Sequence, residues 1–269
     1  MAVKPRPNPV HIISLGGGVQ STTIAHMAAA GIIKPMPAAA VFADTQSESS
    51  ETYRHLDGLR SELNFPIVTL ETGDLARDST ALIEPRAGGK KYVNALIPAF
   101  YTMNDKKVMI NRRCTRNYKI VPIRRYSRQY FERGVSQWIG ISTDEAQRMR
   151  DSDVGYVVNR YPLIELGMSR QDCLQWLRDH KKRIPPKSSC YFCPFHSDAH
   201  WYDMKKDRPW EFNKAVAYER QMWEANEKSE TRYIKPFLHQ SRIPLDEVEF
   251  RSDGYRDGFG NDCSGSCGV

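Results

Sequence analysis

The chain has 269 residues, 40% of them hydrophobic and 26% charged, with a formal net charge of +7. That is enough apolar material for a good core in one domain or two, and it excludes a disordered chain. No apolar run is long enough to cross a bilayer and the opening MAVKPRPNPV lacks the apolar segment of a secretory signal, so the expected compartment is cytoplasmic, with no membrane partner.

VHIISL, residues 10–15, reads as a short buried strand. Three glycines follow, then the Ala-rich helical stretch QSTTIAHMAAAG, with Gly31 as its stop. AAAVFA at 38–43 reads as a second buried strand ending at Asp44. Residues 50–63 place Tyr53, Leu56, Leu59 and Leu63 at helical spacing, and FPIVTL at 65–70 is a third strand. Strand, helix, strand, helix, strand with short connections predicts an α/β fold: a doubly wound, mainly parallel, Rossmann-like sheet covered by helices. Residues 86–110 break the pattern; ALIPAFYTM and KVMIN around NDKK predict a hairpin or a mobile loop over the site. VSQWIGI at 135–141 reads as a further core strand, and SRQDCLQWLRDH at 169–180 as a helix with Ser169 at its N-cap. A Pro-rich turn, IPPKSS, leads into CYFC; residues 210–226 form a long amphipathic helix, and the tail from Asp253 is Gly-rich. The expected organisation is a nucleotide-binding α/β domain over 1–185 and a C-terminal helical, cysteine-bearing extension over 186–269.

A strand that ends in glycines and opens into a helix builds an anion site, because glycine lets backbone N–H groups approach oxygen and the helix end is positive. Gly16, Gly17 and Gly18 supply the turn, and Ser21 and Thr22 supply hydroxyls at the helix start. The motif is neither GxGxxG nor a Walker loop, since no lysine follows the glycines. A tight strand-to-helix turn without a ligand is the plainer alternative.

LGGGVQST resembles the SGGxDS loop of the PP-loop ATP pyrophosphatases, whose adenine nucleotide α-hydrolase-like fold grips ATP pyrophosphate. Asp44, at the end of the second strand, matches the region that borders adenosine in that family. Gly16 stands where the family carries its first Ser, with Ser14 close by, and Gln20 stands where it carries Asp, a natural partner for magnesium or a substrate amine. NRRCTRNYKIVPI and GISTDEAQRMR resemble segments of the phosphoadenylyl-sulfate reductase-like group, and the motifs follow that group's order over residues 12–195. The resemblance implies a cofactor-binding set of Ser14, Gly16, Gly17, Gly18, Gln20, Ser21, Thr22 and Asp44 for ATP with Mg2+. Ser21, Asp44 and Arg148 would carry the catalytic roles.

The six cysteines are Cys114, Cys173, Cys190, Cys193, Cys263 and Cys267. In a long chain without an export signal, metal or cluster ligation, redox chemistry and burial outrank disulfides. Cys190 and Cys193 form CYFCP, a spacing that suits one metal or cluster. Zinc would need two more ligands, for which His196 and His200 are near in sequence; the plainer reading has both packing or facing solvent. A [4Fe–4S] cluster would recruit distant cysteines, and by resemblance Cys114 is the first candidate, with Cys267 the fourth ligand in preference to Cys263. Cys173 falls on the apolar face of its helix and reads as a buried thiol.

From Arg112 to Arg133 the chain carries Arg112, Arg113, Arg116, Lys119, Arg124, Arg125, Arg128 and Arg133 against Glu132 alone, with Tyr118, Tyr126, Tyr130 and Phe131 interleaved. Arginine grips phosphate bidentately and aromatics stack on bases, so this segment favours a nucleic acid, tRNA or DNA, over a merely solvated helix face. By resemblance the chain adenylylates such a substrate and passes sulfur to it through the cluster, with a cysteine desulfurase as a candidate sulfur donor; a homodimer is compatible with this reading. The alternatives are a reductase of phosphoadenylyl or adenylyl sulfate, and a non-catalytic nucleotide or nucleic-acid binding protein with structural zinc.

Overall fold

The computed structural model describes residues 8–86, 88–231 and 234–252. The strands are β1 (Val10–Ser14), β2 (Ala39–Asp44), β3 (Ile67–Glu71), β4 (Leu82–Ile83), β5 (Tyr92–Val93), β6 (Phe100–Met103), β7 (Lys106–Met109), β8 (Val135–Trp138) and β9 (Val157–Arg160). The α-helices are α1 (Val19–Ala29), α2 (Ser50–Glu62), α3 (Leu75–Thr80), α4 (Val121–Tyr130), α5 (Pro162–Glu165), α6 (Arg170–Asp179), α7 (Asp198–Asp207) and α8 (Pro209–Glu227). Residues 8–72 and 115–189 form one compact unit, and residues 73–114 and 190–252 a second.

The first unit is an α/β fold around five parallel strands in the order β3-β2-β1-β8-β9. Alternate residues of each strand serve opposite faces. Ile13, Phe42 and Trp138 pack with Ile24, Leu56, Leu59, Cys173 and Leu177 of α1, α2 and α6, whereas Ile12, Val41 and Val135 pack with Ile123 of α4. Helices therefore cover both faces, which explains the unbroken apolar run of β2. α1 is buried from Val19 to Ala28, so its sequence shows small and apolar residues all round instead of a stripe. Gly31 closes it in a left-handed conformation, φ +73°. Ser49 caps α2 and Ser169 caps α6, the latter in a capping box with Asp172. β9 escapes sequence reading because it is a four-residue edge strand with Val157 buried and Val158 exposed.

The second unit is discontinuous in sequence. It takes in residues 73–114, which the sequence reading kept with the N-terminal domain, because Phe100 and Phe237 exchange backbone hydrogen bonds at 2.8 and 2.7 Å and Ser79 of α3 meets the Tyr218 hydroxyl of α8 at 2.6 Å. The predicted hairpin is β6–β7, closed by Asn104 and Asp105 at φ +50° and +59°, the left-handed pair that a two-residue turn requires. On α8 the buried Glu219 carboxylate accepts the Leu238 and Leu245 N–H groups, both at 2.8 Å. Burial pushes its pKa up to about 7.

Candidate functional site

Strand order reverses between β1 and β8, and in open α/β sheets ligands settle at the carboxyl end of the strands at such a point. The glycine loop lies there. Gly17 adopts φ +74°, and a Cβ on it would sit 3.3 Å from the Thr52 methyl group. Gly18 is the extended N-cap of α1, with no side chain to cap the helix. Thr22 N–H is the first to reach a helix carbonyl, Gly18 O at 3.0 Å, so the amides before it have no acceptor within the helix. Ser21 Oγ accepts from Gly16 N at 3.2 Å and donates to Gly18 O at 3.3 Å, which ties the loop to the helix it opens. Gly140, just beyond β8, leaves no room for a side chain: a Cβ there would lie 2.8 Å from Ser21 N.

Three neighbours of this loop come from distant positions in the chain. Ser188 Oγ donates to Gly16 O, although IPPKSS read only as a turn. His55 Nε2 lies 3.0 Å from the Thr22 hydroxyl, and both residues are buried. Burial holds the His55 and His26 pKa values down to about 4, so both rings are neutral near pH 7. His26 therefore makes no ion pair at neutral pH despite lying 3.9 Å from Glu62. The third neighbour is Glu145. Gln20 Nε2 donates to Glu145 Oε2 at 3.1 Å and approaches Ser142 Oγ at 3.4 Å, while Arg170 Nη1 reaches Gln20 Oε1 at 3.5 Å. Glu145 is 3% exposed and forms an ion pair with Arg148 through its other oxygen.

Asp44, at the carboxyl end of β2, accepts from the Tyr53 hydroxyl at 2.7 Å and from Gln46 N at 2.8 Å. Burial, with Asp44 second, pushes the Tyr53 phenol well above its ordinary pKa and keeps it a donor. Beyond Asp44, the Ser47 hydroxyl and Glu48 Oε2 are buried without a hydrogen-bond partner among the described residues, as is the Ser189 hydroxyl. Ser189 reaches this region by accepting the Ser49 N–H at 3.1 Å. Ser14, the three glycines, Gln20, Ser21 and Thr22 thus share one strand end and one helix start, with Asp44 at the end of the neighbouring strand.

The cysteines divide differently. Cys173 is fully buried in the sheet core, where burial pushes its thiol pKa up to about 12. Cys114, Cys190 and Cys193 are half-buried and all belong to the second unit. Cys193 N donates to Cys190 O at 3.0 Å, and His196 Nε2 donates to the same carbonyl at 3.0 Å. The His196 and His200 rings stack at 3.9 Å. Burial raises the Tyr218 phenol pKa, and Tyr191, Cys190 and Cys114 add to the rise, so both cysteines bear on one buried phenol. Among the described residues, no three His, Cys, Asp or Glu side chains are gathered to hold a metal ion. Cys263 and Cys267 lie outside the described residues.

The basic segment is less uniform than its sequence. Lys119 is buried in an ion pair with Glu48 at 3.0 Å, and Arg124 pairs with Asp153. Arg112, Arg113, Arg116, Arg125, Arg128 and Arg133 are exposed. Tyr130 is 61% exposed, and its ring packs on Tyr126 at 4.8 Å. A scan against protein-family models found no match, and a search of curated proteins found none either. No helix among the described residues is long and apolar enough to cross a membrane.

Proposed function

We propose that this chain is an ATP-using PP-loop enzyme of the adenine nucleotide α-hydrolase-like type that adenylylates a nucleic acid and directs sulfur to the activated position. The observation that carries the reading is the glycine loop at the switch point, running into the uncapped start of α1 with Gly140 packed against it. The amides from Gly17 to Ser21 would hold the nucleotide phosphates, Asp44 would face the nucleoside, and Arg148 would answer phosphate charge. A nucleic-acid oxygen would attack the α-phosphorus and pyrophosphate would leave; sulfur would then displace AMP. Exposed Arg125, Arg128 and Arg133 support a polyanionic substrate.

Cys114, Cys190 and Cys193, with Cys267 as the fourth ligand, would hold a [4Fe–4S] cluster. The described members of the set fit in chemistry: Cys114, Cys190 and Cys193 are soft sulfur donors of one unit, and Cys114 and Cys190 bear on the same phenol. When bound, the cluster would supply a carrier for the sulfur. The test is incubation of anaerobically purified protein with ATP, a sulfide source and pooled tRNA or DNA, followed by assay of pyrophosphate and mass spectrometry of nucleosides. Pyrophosphate and a thiolated nucleoside are expected. No pyrophosphate with either nucleic acid overturns the reading, and sulfite released from phosphoadenylyl sulfate replaces it with the reductase.

A further inference from the structure

We propose that the nucleic acid meets α4 as an unpaired strand, with one base stacked on the Tyr130 ring and its phosphates held by Arg125, Arg128 and Arg133. The inference rests on the basic segment being a nucleic-acid surface, and it adds which form of nucleic acid that surface takes. Tyr130 ends α4 and is 61% exposed, the most exposed large apolar or aromatic side chain among the described residues. A lone exposed ring is ordinary on a protein surface. This ring is supported: Tyr126 lies against it with centroids 4.8 Å apart and planes tilted by 39°. Phe131 braces Tyr126 edge-on at 5.7 Å, and both pack on the core around Ile12, Val41, Ile123 and Val135. Tyr130 is thus backed on one side and open to solvent on the rest, the form of a stacking platform.

The charges beside it suit a phosphate backbone. Arg125 and Arg128 precede Tyr130 by five and two residues, roughly 8 and 3 Å along the helix axis, and Arg133 follows it. All three are exposed, whereas Arg124 is drawn away to Asp153, and Glu132 is the lone acid from Arg112 to Arg133. Charge by itself does not choose a single strand: a duplex carries the denser phosphate charge and responds more steeply to salt. The ring tips the choice the other way. Inside a duplex both faces of each base are covered by its neighbours, so Tyr130 has nothing to stack on there. In an unpaired strand every base offers an open π-face, and stacking on an aromatic side chain tolerates any sequence.

The experiment is fluorescence anisotropy of the intact protein with a twelve-nucleotide strand of mixed sequence, as DNA and as RNA, each free or annealed to its complement. The unpaired strand should bind at least about fivefold more tightly than its duplex. Tyr130→Ala should weaken the unpaired strand roughly tenfold and move the duplex less than about twofold. The salt slope should stay unchanged, because no phosphate contact is lost. Tyr130→Phe should bind like wild type, since it keeps the π-face. Duplex binding as tight as the single strand, or Tyr130→Ala binding the strand like wild type, overturns the inference and leaves the basic surface standing. No binding of any of these probes overturns both the inference and the nucleic-acid reading. The wild-type comparison of strand and duplex stands even if Tyr130→Ala fails to fold.

Discussion

At the phosphate loop, nearly every candidate residue comes from one strand end and the first turn of one helix; the cysteine candidates come from residue 114, the 190–193 turn and the tail. The loop is held by its neighbours: Ser188 on Gly16, Ser21 on Gly16 and Gly18, and Gly140 against Ser21. Cys114 and Cys190 both bear on the buried Tyr218 phenol, and no group of three metal-holding side chains is gathered among the described residues. An anion site can be finished by backbone geometry alone, because its donors are amides that the helix leaves over. A thiolate site repels itself until a cation joins it, so assembly there is coupled to the ligand.

The largest effect expected from that contrast follows removal of metal. If the cluster belongs to the second unit, Cys190→Ser or Cys114→Ser should abolish bound iron and labile sulfide and lower hydrogen-exchange protection in α7 and α8, while α1 and β1 keep theirs. Equal loss in both units, or iron retained in both variants, breaks the comparison.

Next is Gly140→Val. Its branched side chain must displace backbone at Ser21, so stability should fall on the order of 3 kcal/mol and ATP affinity by more than about tenfold. Denaturant unfolding and calorimetry measure the two. Cys173→Ala, a core truncation on the same side of the sheet, should lower stability without a comparable loss of affinity.

The two units should also answer pH with opposite sign. His26 and His55 fall from an ordinary value of 6.5 to about 4 in the folded sheet unit. The unfolded chain binds more protons between those values, so this stability is complete above about pH 6.5 and is lost as pH falls toward 4. Each histidine contributes about 3 kcal/mol at most. Glu219 is raised from 4.5 to about 7, so its contribution is complete below about pH 4.5 and is lost as pH rises through 7. Protection factors at pH 5 and pH 7, corrected for intrinsic exchange, should fall on acidification in α1 and α2 and rise around residues 238–245. A common sign in both regions refutes this. The smallest effect concerns α4: Arg125→Glu with Arg128→Glu should weaken nucleic-acid binding and reduce its salt slope by about two, leaving ATP affinity unchanged. An unaltered slope removes this helix from the interface.

Much of this architecture is local enough to read from the chain. Strand and helix periods give β1, β2, α2 and α6, Ser169 starts its helix through its own hydroxyl, and Asn104–Asp105 closes a hairpin by its own backbone preference. Three features have no such local basis. β9 is too short and too exposed at the sheet edge to show a pattern, α7 carries no clear apolar stripe, and residues 73–114 join the second unit through pairings with residues more than a hundred positions away.

The sequence by itself determined that a parallel α/β sheet forms and that three glycines stand between its first strand and first helix, because both follow from side-chain period and from what glycine permits. Only the tertiary structure decided what surrounds that loop. Gln20 meets Glu145 across a separation of 125 residues, Lys119 leaves the basic surface to pair with Glu48, and Thr22 turns to a neutral His55. Those partners are chosen by which elements pack side by side, and the charge of a buried group depends on its neighbours in space, not on its neighbours in the chain.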